Sequence, residues 1–123
     1  MANILVVDDE ELVRFSVCQI LEGAGHAVKE AADGVEAIAL LADNAFDLMI
    51  TDIVMPRKEG METISEAKQM RPDLRVIAIS GGGPVGQFHY LDLAKQFGAD
   101  MVLAKPFKKQ ELIAMIDALI GRS

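Results

Sequence analysis

The chain has 123 residues and a formal net charge of −7, and hydrophobic residues make up 51% of it. This length fits one domain, and the acidic balance argues against nucleic acid as a direct partner because phosphate backbones select basic surfaces. No apolar run reaches bilayer length, and MANILVVDDEE lacks the basic flank of a secretory signal. A single cysteine, Cys18, excludes an internal disulfide and favours a reducing, cytoplasmic location.

Short apolar runs alternate with amphipathic stretches along the whole chain. The apolar runs predict five strands, over residues 4–7, 26–31, 46–51, 75–79 and 101–104. The amphipathic stretches predict five helices, over residues 10–23, 34–43, 59–70, 87–97 and 108–120. This alternation predicts an α/β fold, a parallel sheet with helices on both faces joined by right-handed crossovers. We expect one domain over residues 1–123, without an output domain.

Four of the predicted strands end in residues that can carry chemistry. The first ends in Asp8 and Asp9, the third in Asp52, the fourth in Ser80 and the fifth in Lys105. Each has an ordinary explanation alone: a helix-start acidic pair, solvated strand-end charges, or a serine that forms a turn. Ligands of open α/β sheets bind outside the carboxyl ends of the strands, however, so together these residues indicate a site.

The residue types at this edge indicate phosphoryl transfer. Three carboxylates repel one another unless a cation relieves the repulsion, and oxygen ligands without histidine or cysteine favour a hard ion such as Mg²⁺. Lys105 adds a second positive charge and Ser80 adds a hydroxyl. A metal and an ammonium group that neutralise phosphoryl oxygens, beside an ionised Asp52 as nucleophile, meet the needs of phosphoryl transfer to an aspartate.

The same residues resemble those of a known family. V-V-D-D-E at 6–10, D-x-x-M-P at 52–56 followed by Gly60, the hydroxyl of Ser80, and K-P-F at 105–107 resemble the receiver domain of bacterial two-component response regulators. The resemblance covers the whole chain and is to a stand-alone, chemotaxis-regulator-like receiver. It implies a flavodoxin-like, doubly wound, five-stranded parallel sheet of order 2-1-3-4-5 with five helices.

The resemblance also implies a role for the acidic residues. Asp52 corresponds to the phosphoacceptor, which takes a phosphoryl group from a phosphohistidine on a sensor histidine kinase or a phosphotransfer protein. Asp8, Asp9 and Asp52, together with the backbone carbonyl of Val54, correspond to the Mg²⁺ ligands. The implied function is a phosphorylated signalling switch rather than a turnover enzyme, with no membrane partner.

Further roles and two departures follow from the resemblance. Lys105 corresponds to the lysine that pairs with phosphoryl oxygens, its bond to Pro106 is expected to be cis, and Ser80 corresponds to the switch hydroxyl. Val102 stands where the family often has an aromatic residue, so we expect no aromatic rotamer switch there. Gly82 lacks a side chain at a position that often tunes phosphate lifetime.

The output and the rival functions remain open at this stage. We expect a downstream protein to bind a face formed by the fourth helix, fifth strand and fifth helix, with Phe88 and Tyr90 on it. The alternative is a receiver-like binding module that never accepts phosphate. A flavin or nucleotide binder is disfavoured because acids, not a phosphate-cradling loop, follow the first strand. A haloacid-dehalogenase-like phosphatase is disfavoured because Val54 replaces the second acid that its nucleophile would need.

Overall fold

The structure, a computed structural model, describes residues 2–53, 60–80 and 94–121, and of Ser80 it describes the backbone alone. Its strands are β1 Asn3–Val7, β2 Ala27–Ala31, β3 Leu48–Asp52, β4 Arg75–Ser80 and β5 Met101–Ala104. Its helices are α1 Glu11–Gly23, α2 Gly34–Asp43, α3 Gly60–Met70, α4 with residues 94–97 described, and α5 Lys109–Ile120.

All strand pairs are parallel, and the sheet order is β2-β1-β3-β4-β5. This confirms the predicted flavodoxin-like fold with five strands and five helices. Where both ends of an element are described, the predicted boundaries agree with the observed ones to within two residues. Residues 87–93 of the predicted fourth helix lie outside the described part of the chain.

Two apolar cores cover the two faces of the sheet, because successive strand side chains point to opposite sides. In β1, Ile4 and Val6 belong to one core, whereas Leu5 and Val7 belong to the other. Helices α1 and α5 pack on the first face, and α2 and α3 pack on the second. Strand β3 is buried along its whole length, as expected for a central strand covered on both faces.

Cys18 packs in the first of these cores, on the inner side of α1, and is only 6% exposed. Burial, reinforced by the nearby carboxylates of Glu30 and Glu22, raises the pKa of its thiol to about 11. Because the thiolate is the reactive form of cysteine, this side chain acts as a small apolar core residue. No helix in the described part of the chain is long and apolar enough to cross a membrane.

Two aspartates, each placed just before a strand, tie the strands together at the amino edge of the sheet. Asp47 precedes β3, and its Oδ2 accepts a 2.8 Å hydrogen bond from the backbone N–H of Asn3. Asp100 precedes β5, and its Oδ2 accepts 2.8 Å hydrogen bonds from the N–H of Val76 and from Nζ of Lys68. Each carboxylate therefore fixes the start of a neighbouring strand.

The ionised form of Asp100 is the one that the fold stabilises. Burial alone would raise its pKa, but the hydrogen bonds from Lys68 and Val76 and the charges of Lys68 and Arg75 outweigh burial and lower the pKa. A carboxylate whose folded-state pKa is depressed contributes stability above its unfolded pKa of about 3.9, and loses that contribution as the pH falls through the folded value.

We expect Asp100→Asn to lower the free energy of unfolding at pH 7 by about 1 kcal/mol, because a charge-assisted hydrogen bond is lost. The difference from wild type should shrink as the pH falls below about 4, where the wild-type carboxylate also becomes protonated. Urea denaturation at a series of pH values measures both quantities. Asp73→Asn, at an exposed aspartate of the same edge, is the control. A difference between wild type and Asp100→Asn that stays constant with pH would contradict the assignment.

Candidate functional site

The strand register brings the predicted site residues to one edge of the sheet. Val7 is paired with Thr51, so Asp8 and Asp52, the next residues, stand side by side where β1 and β3 end. Ser80 is paired with Ala104, so Lys105 follows directly beside the end of β4. The sheet edge predicted from the strand ends alone is therefore the one that forms.

Three carboxylates meet at this edge. One oxygen from each of Asp8, Asp9 and Asp52 can be chosen so that the three lie within 4.8 Å of one another. Asp8 and Asp52 are 4% and 8% exposed, whereas Asp9 is exposed. The two inner carboxylates are thus shielded from water and the third faces it, so a cation could enter from the Asp9 side.

Lys105 lies between the two inner carboxylates. Its Nζ is 3.4 Å from Oδ2 of Asp8 and 3.5 Å from Oδ2 of Asp52. Burial alone would lower the pKa of Lys105, but the charges of Asp52 and Asp8, and hydrogen bonds to both, outweigh burial and raise its pKa. The ammonium group therefore stays protonated at neutral pH and offsets part of the repulsion between the carboxylates.

The backbone around Asp8 is fixed by hydrogen bonds. Its N–H donates to the carbonyl of Ala31 in β2 at 3.1 Å, and its Oδ1 accepts from the N–H of Glu10 at 2.9 Å. The guanidinium of Arg14 donates from Nη1 to the Asp8 carbonyl at 2.7 Å, and from Nε to Oε1 of Glu30 at 2.9 Å. The sequence interpretation missed Arg14 and Glu30, because a pair 16 residues apart shows no helical spacing or motif.

A glycine lies directly against the backbone of Asp52. The N–H of Gly60 donates to the carbonyl of Ile53 at 3.2 Å, and the N–H of Ile53 donates to the carbonyl of Ile79 at 3.2 Å. A Cβ at residue 60 would collide with the carbonyl oxygen of Asp52 and with Cα of Ile53. The start of α3 can approach the phosphoacceptor candidate this closely because residue 60 has no side chain.

We expect Gly60→Ala to lower the free energy of unfolding by about 1–3 kcal/mol, because the added methyl group has to displace the Asp52 backbone. Gly23→Ala is the matched control, since a Cβ there meets nothing within 4 Å. Alanine at this helix-terminal position should be neutral or should stabilise by up to about 1 kcal/mol. Urea denaturation of both variants compares them, and equal effects would show that the contact at Gly60 is unimportant.

The structure describes some of the remaining predicted site features and not others. The Lys105–Pro106 peptide bond is cis, as expected from the resemblance. Val102 packs, partly buried, against the core under α2 and α3. The carbonyl of Val54 and the side chain of Ser80 lie outside what the structure describes, so their roles stay predictions.

The donor set at this edge fits a hard divalent cation. Carboxylate oxygens from Asp8, Asp9 and Asp52 make up the cluster, which among the described residues holds no histidine nitrogen or cysteine sulfur. Mg²⁺ is bound in proteins by one or two carboxylates while it keeps several waters. The buried pair with an exposed third carboxylate meets that requirement.

Comparison with known proteins agrees with this geometry. The family model described as "Response regulator receiver domain" matches residues 4–117. Response regulator MprA of Mycobacterium sp. (strain KMS) is 38% identical over 122 residues, which are 98% of this chain and 51% of that protein. A response regulator receiver domain protein of Clostridium thermocellum has a solved structure with a TM-score of 0.90 and 33% identity, covering 99% of this chain and 96% of that one.

A second solved structure was determined with a metal and a beryllium fluoride. It is response regulator protein TrrA of Thermotoga maritima in complex with Mg(2+)-BeF, with a TM-score of 0.85 and 32% identity over 97% of this chain and 99% of that one. The chain belongs to the response regulator receiver domain family, whose members are signalling switches of two-component systems. It spans about half the length of the curated relatives that it matches.

Proposed function

We propose that this chain is a phosphoacceptor switch in which Asp52 takes a phosphoryl group from a phosphohistidine of a sensor histidine kinase or phosphotransfer protein. The observation that carries the proposal is the cluster of Asp8, Asp9 and Asp52 within 4.8 Å, with Lys105 Nζ 3.5 Å from the Asp52 carboxylate. Family membership supports the same role.

Each residue of the cluster contributes one part of the chemistry. A carboxylate oxygen of Asp52 donates an electron pair to phosphorus, the phosphorus–nitrogen bond of the donor breaks, and its electron pair returns to the imidazole, leaving an acyl phosphate. Lys105, held protonated beside Asp52, would pair with the transferred oxygens. Asp8 and Asp9, with Asp52, would hold Mg²⁺, which supplies positive charge to the phosphoryl oxygens when bound.

In this role the chain is a switch and not a turnover enzyme, because the phosphoryl group ends on the chain itself. The rival function, a receiver-like module that never accepts phosphate, needs neither a metal site nor a lysine between two carboxylates. Three carboxylates that could hold a metal ion, with Lys105 between two of them, support the phosphoacceptor role instead. The structure of TrrA with Mg(2+)-BeF supports the metal assignment by showing that a relative of this fold holds that pair.

Incubation with acetyl phosphate and Mg²⁺ should add one phosphoryl group to the wild-type chain, seen by intact-mass spectrometry. The adduct should be absent with Asp52→Asn, because an amide is not a nucleophile here, and absent without Mg²⁺. Asp73→Asn, far from the cluster in the loop before β4, is the matched control and should still be modified. An adduct on Asp52→Asn would move the acceptor elsewhere. No wild-type adduct, with no beryllofluoride binding either, would favour the binding module.

The surface beside Asp52 is suited to a protein donor. A groove of about 820 Å³ runs from Asp52 and Lys105 along α1, and its apolar lining is Leu12, Val13, Val17, Ile20, Pro106 and Phe107. Leu12 is 80% exposed, the highest value among the large apolar side chains that the structure describes. Transfer brings the reacting atoms to about 3–3.5 Å, so a donor protein has to rest on this surface. We propose that the groove binds apolar side chains around the donor histidine.

Leu12→Ser should slow phosphoryl transfer from a histidine kinase by about tenfold, because an exposed anchor of the interface is lost. Modification by acetyl phosphate should be unchanged, because a small donor does not need the groove. Val35→Ser is the control, since Val35 is 47% exposed but belongs to α2. Transfer rates are measured with the purified kinase that phosphorylates the wild-type chain fastest. Equal slowing by both variants would contradict the assignment.

We propose that a downstream protein binds the face formed by α4, β5 and α5, where β5 is the outermost strand of the sheet. Phe97, at the end of α4, is 45% exposed. Phe88 and Tyr90 lie outside the described residues, so their role in binding a downstream protein stays a prediction. A cytoplasmic location is proposed from the family and from the single cysteine.

A further inference from the structure

We infer that Arg14 is a positioning residue for the metal-binding carboxylates, with Glu30 as its anchor on the edge strand. The inference rests on the proposed function, since it concerns how the same cluster holds Mg²⁺. It starts from the fact that Arg14 is not one of the residues that would touch the metal or the phosphoryl group. Its guanidinium instead bridges helix α1, the segment after β1 and strand β2.

The bridge has two well-formed hydrogen bonds. Nη1 of Arg14 donates to the Asp8 carbonyl at 2.7 Å, and Nε donates to Oε1 of Glu30 at 2.9 Å. The Arg14 side chain is 16% exposed, whereas that of Glu30 is 51% exposed. A planar guanidinium holding two acceptors at once fixes their relative position, which an ammonium group cannot do in the same way. The residue Asp8 is thereby tied to β2 through its carbonyl as well as through its N–H.

The carbonyl that Arg14 holds belongs to the peptide bond between Asp8 and Asp9, which joins two of the proposed metal ligands. Because that peptide is planar, its orientation sets the relative positions of the two Cα atoms from which both carboxylates extend. The Asp8 side chain is held in turn by the N–H of Glu10 at 2.9 Å. Removing a group that hydrogen-bonds to a metal ligand without touching the metal typically lowers the metal affinity by about 10–100-fold.

Positioning and simple electrostatics predict opposite results for this residue. Arg14 carries a positive charge beside a cation site, so by Coulomb's law alone its removal should tighten Mg²⁺ binding. If Arg14 instead orients the ligands, its removal should weaken Mg²⁺ binding although the site becomes more negative. The sign of the change in affinity therefore separates the two roles.

The experiment is isothermal titration calorimetry of the wild-type chain, Arg14→Met and Arg71→Met with MgCl₂, together with urea denaturation without the metal. Arg71 is the matched control, because its guanidinium also donates to a backbone carbonyl, that of Leu41 at 2.9 Å. Arg71 follows α3 and precedes β4, so it lies at the amino edge of the sheet, away from the carboxylate cluster. We expect Arg14→Met to weaken Mg²⁺ binding by about tenfold. Arg71→Met should change stability alone.

The outcomes separate this inference from the proposed function. Unchanged or tighter Mg²⁺ binding by Arg14→Met, while the wild-type chain binds, overturns the inference alone. Absence of binding by the wild-type chain overturns the proposed metal site and the inference with it. If Arg14→Met does not fold, Arg14→Lys decides: it keeps the charge but not the two-pronged geometry, so a smaller loss of affinity is expected and wild-type affinity overturns the inference.

Discussion

Electrostatic repulsion among three carboxylates is the constraint on which the site depends. Parallel pairing of β1 and β3 places Asp8 and Asp52 side by side, and Asp9 follows at once. Such an arrangement is unfavourable unless positive charge accompanies it. Lys105 supplies one charge from the end of β5, and the donor set leaves room for a divalent cation to supply the other. The carboxylates thus give the site a negative charge, and the positive groups that balance this charge can also pair with a phosphoryl group.

The two edges of the sheet use aspartates for opposite purposes. At the amino edge, Asp47 and Asp100 accept hydrogen bonds from strand N–H groups, and their charge serves to fix the fold. At the carboxyl edge, Asp8 and Asp52 lie at the longer distances of 3.4 and 3.5 Å from the ammonium of Lys105. The hydrogen bonds and positive charges around Asp100 outweigh the effect of burial and lower its pKa, so its carboxylate stays ionised. The fold therefore keeps stability and chemistry at separate ends of the same sheet.

Much of this arrangement could be predicted from the sequence, because it follows from periodicity and from strand ends. A largely apolar run such as residues 48–51, followed by Asp52, indicates a buried strand that delivers a side chain to the sheet edge, and the register confirms it. The strand order came from the family resemblance, since periodicity does not determine which strands are neighbours. The sequence identified Gly60 as part of a motif. Only the three-dimensional structure shows why glycine is needed there, which is its close contact with the Asp52 backbone.

The bridge from Arg14 to Glu30 and to the Asp8 carbonyl could not be predicted, because backbone acceptors carry no sequence signal and the partners come from different elements. Helix caps are easier to predict than this bridge, because their partners lie close together in the sequence. Asp33 and Glu36 form a D-x-x-E pair at the start of α2, with Oδ1 of Asp33 accepting from the Glu36 N–H at 2.9 Å. That spacing is a known helix-start signal, and it was available in the sequence.

The complete burial of β3 has a consequence for how a signal would spread. Asp52 ends a central strand that is buried along its whole length and flanked by a strand on each side, and central strands of this kind open and exchange their backbone amide hydrogens among the slowest parts of a fold. A charge added at Asp52 would therefore be attached to a strand that resists local opening. Any change of shape has to be expressed in the surrounding segments, while β3 serves as the fixed frame of reference against which they rearrange.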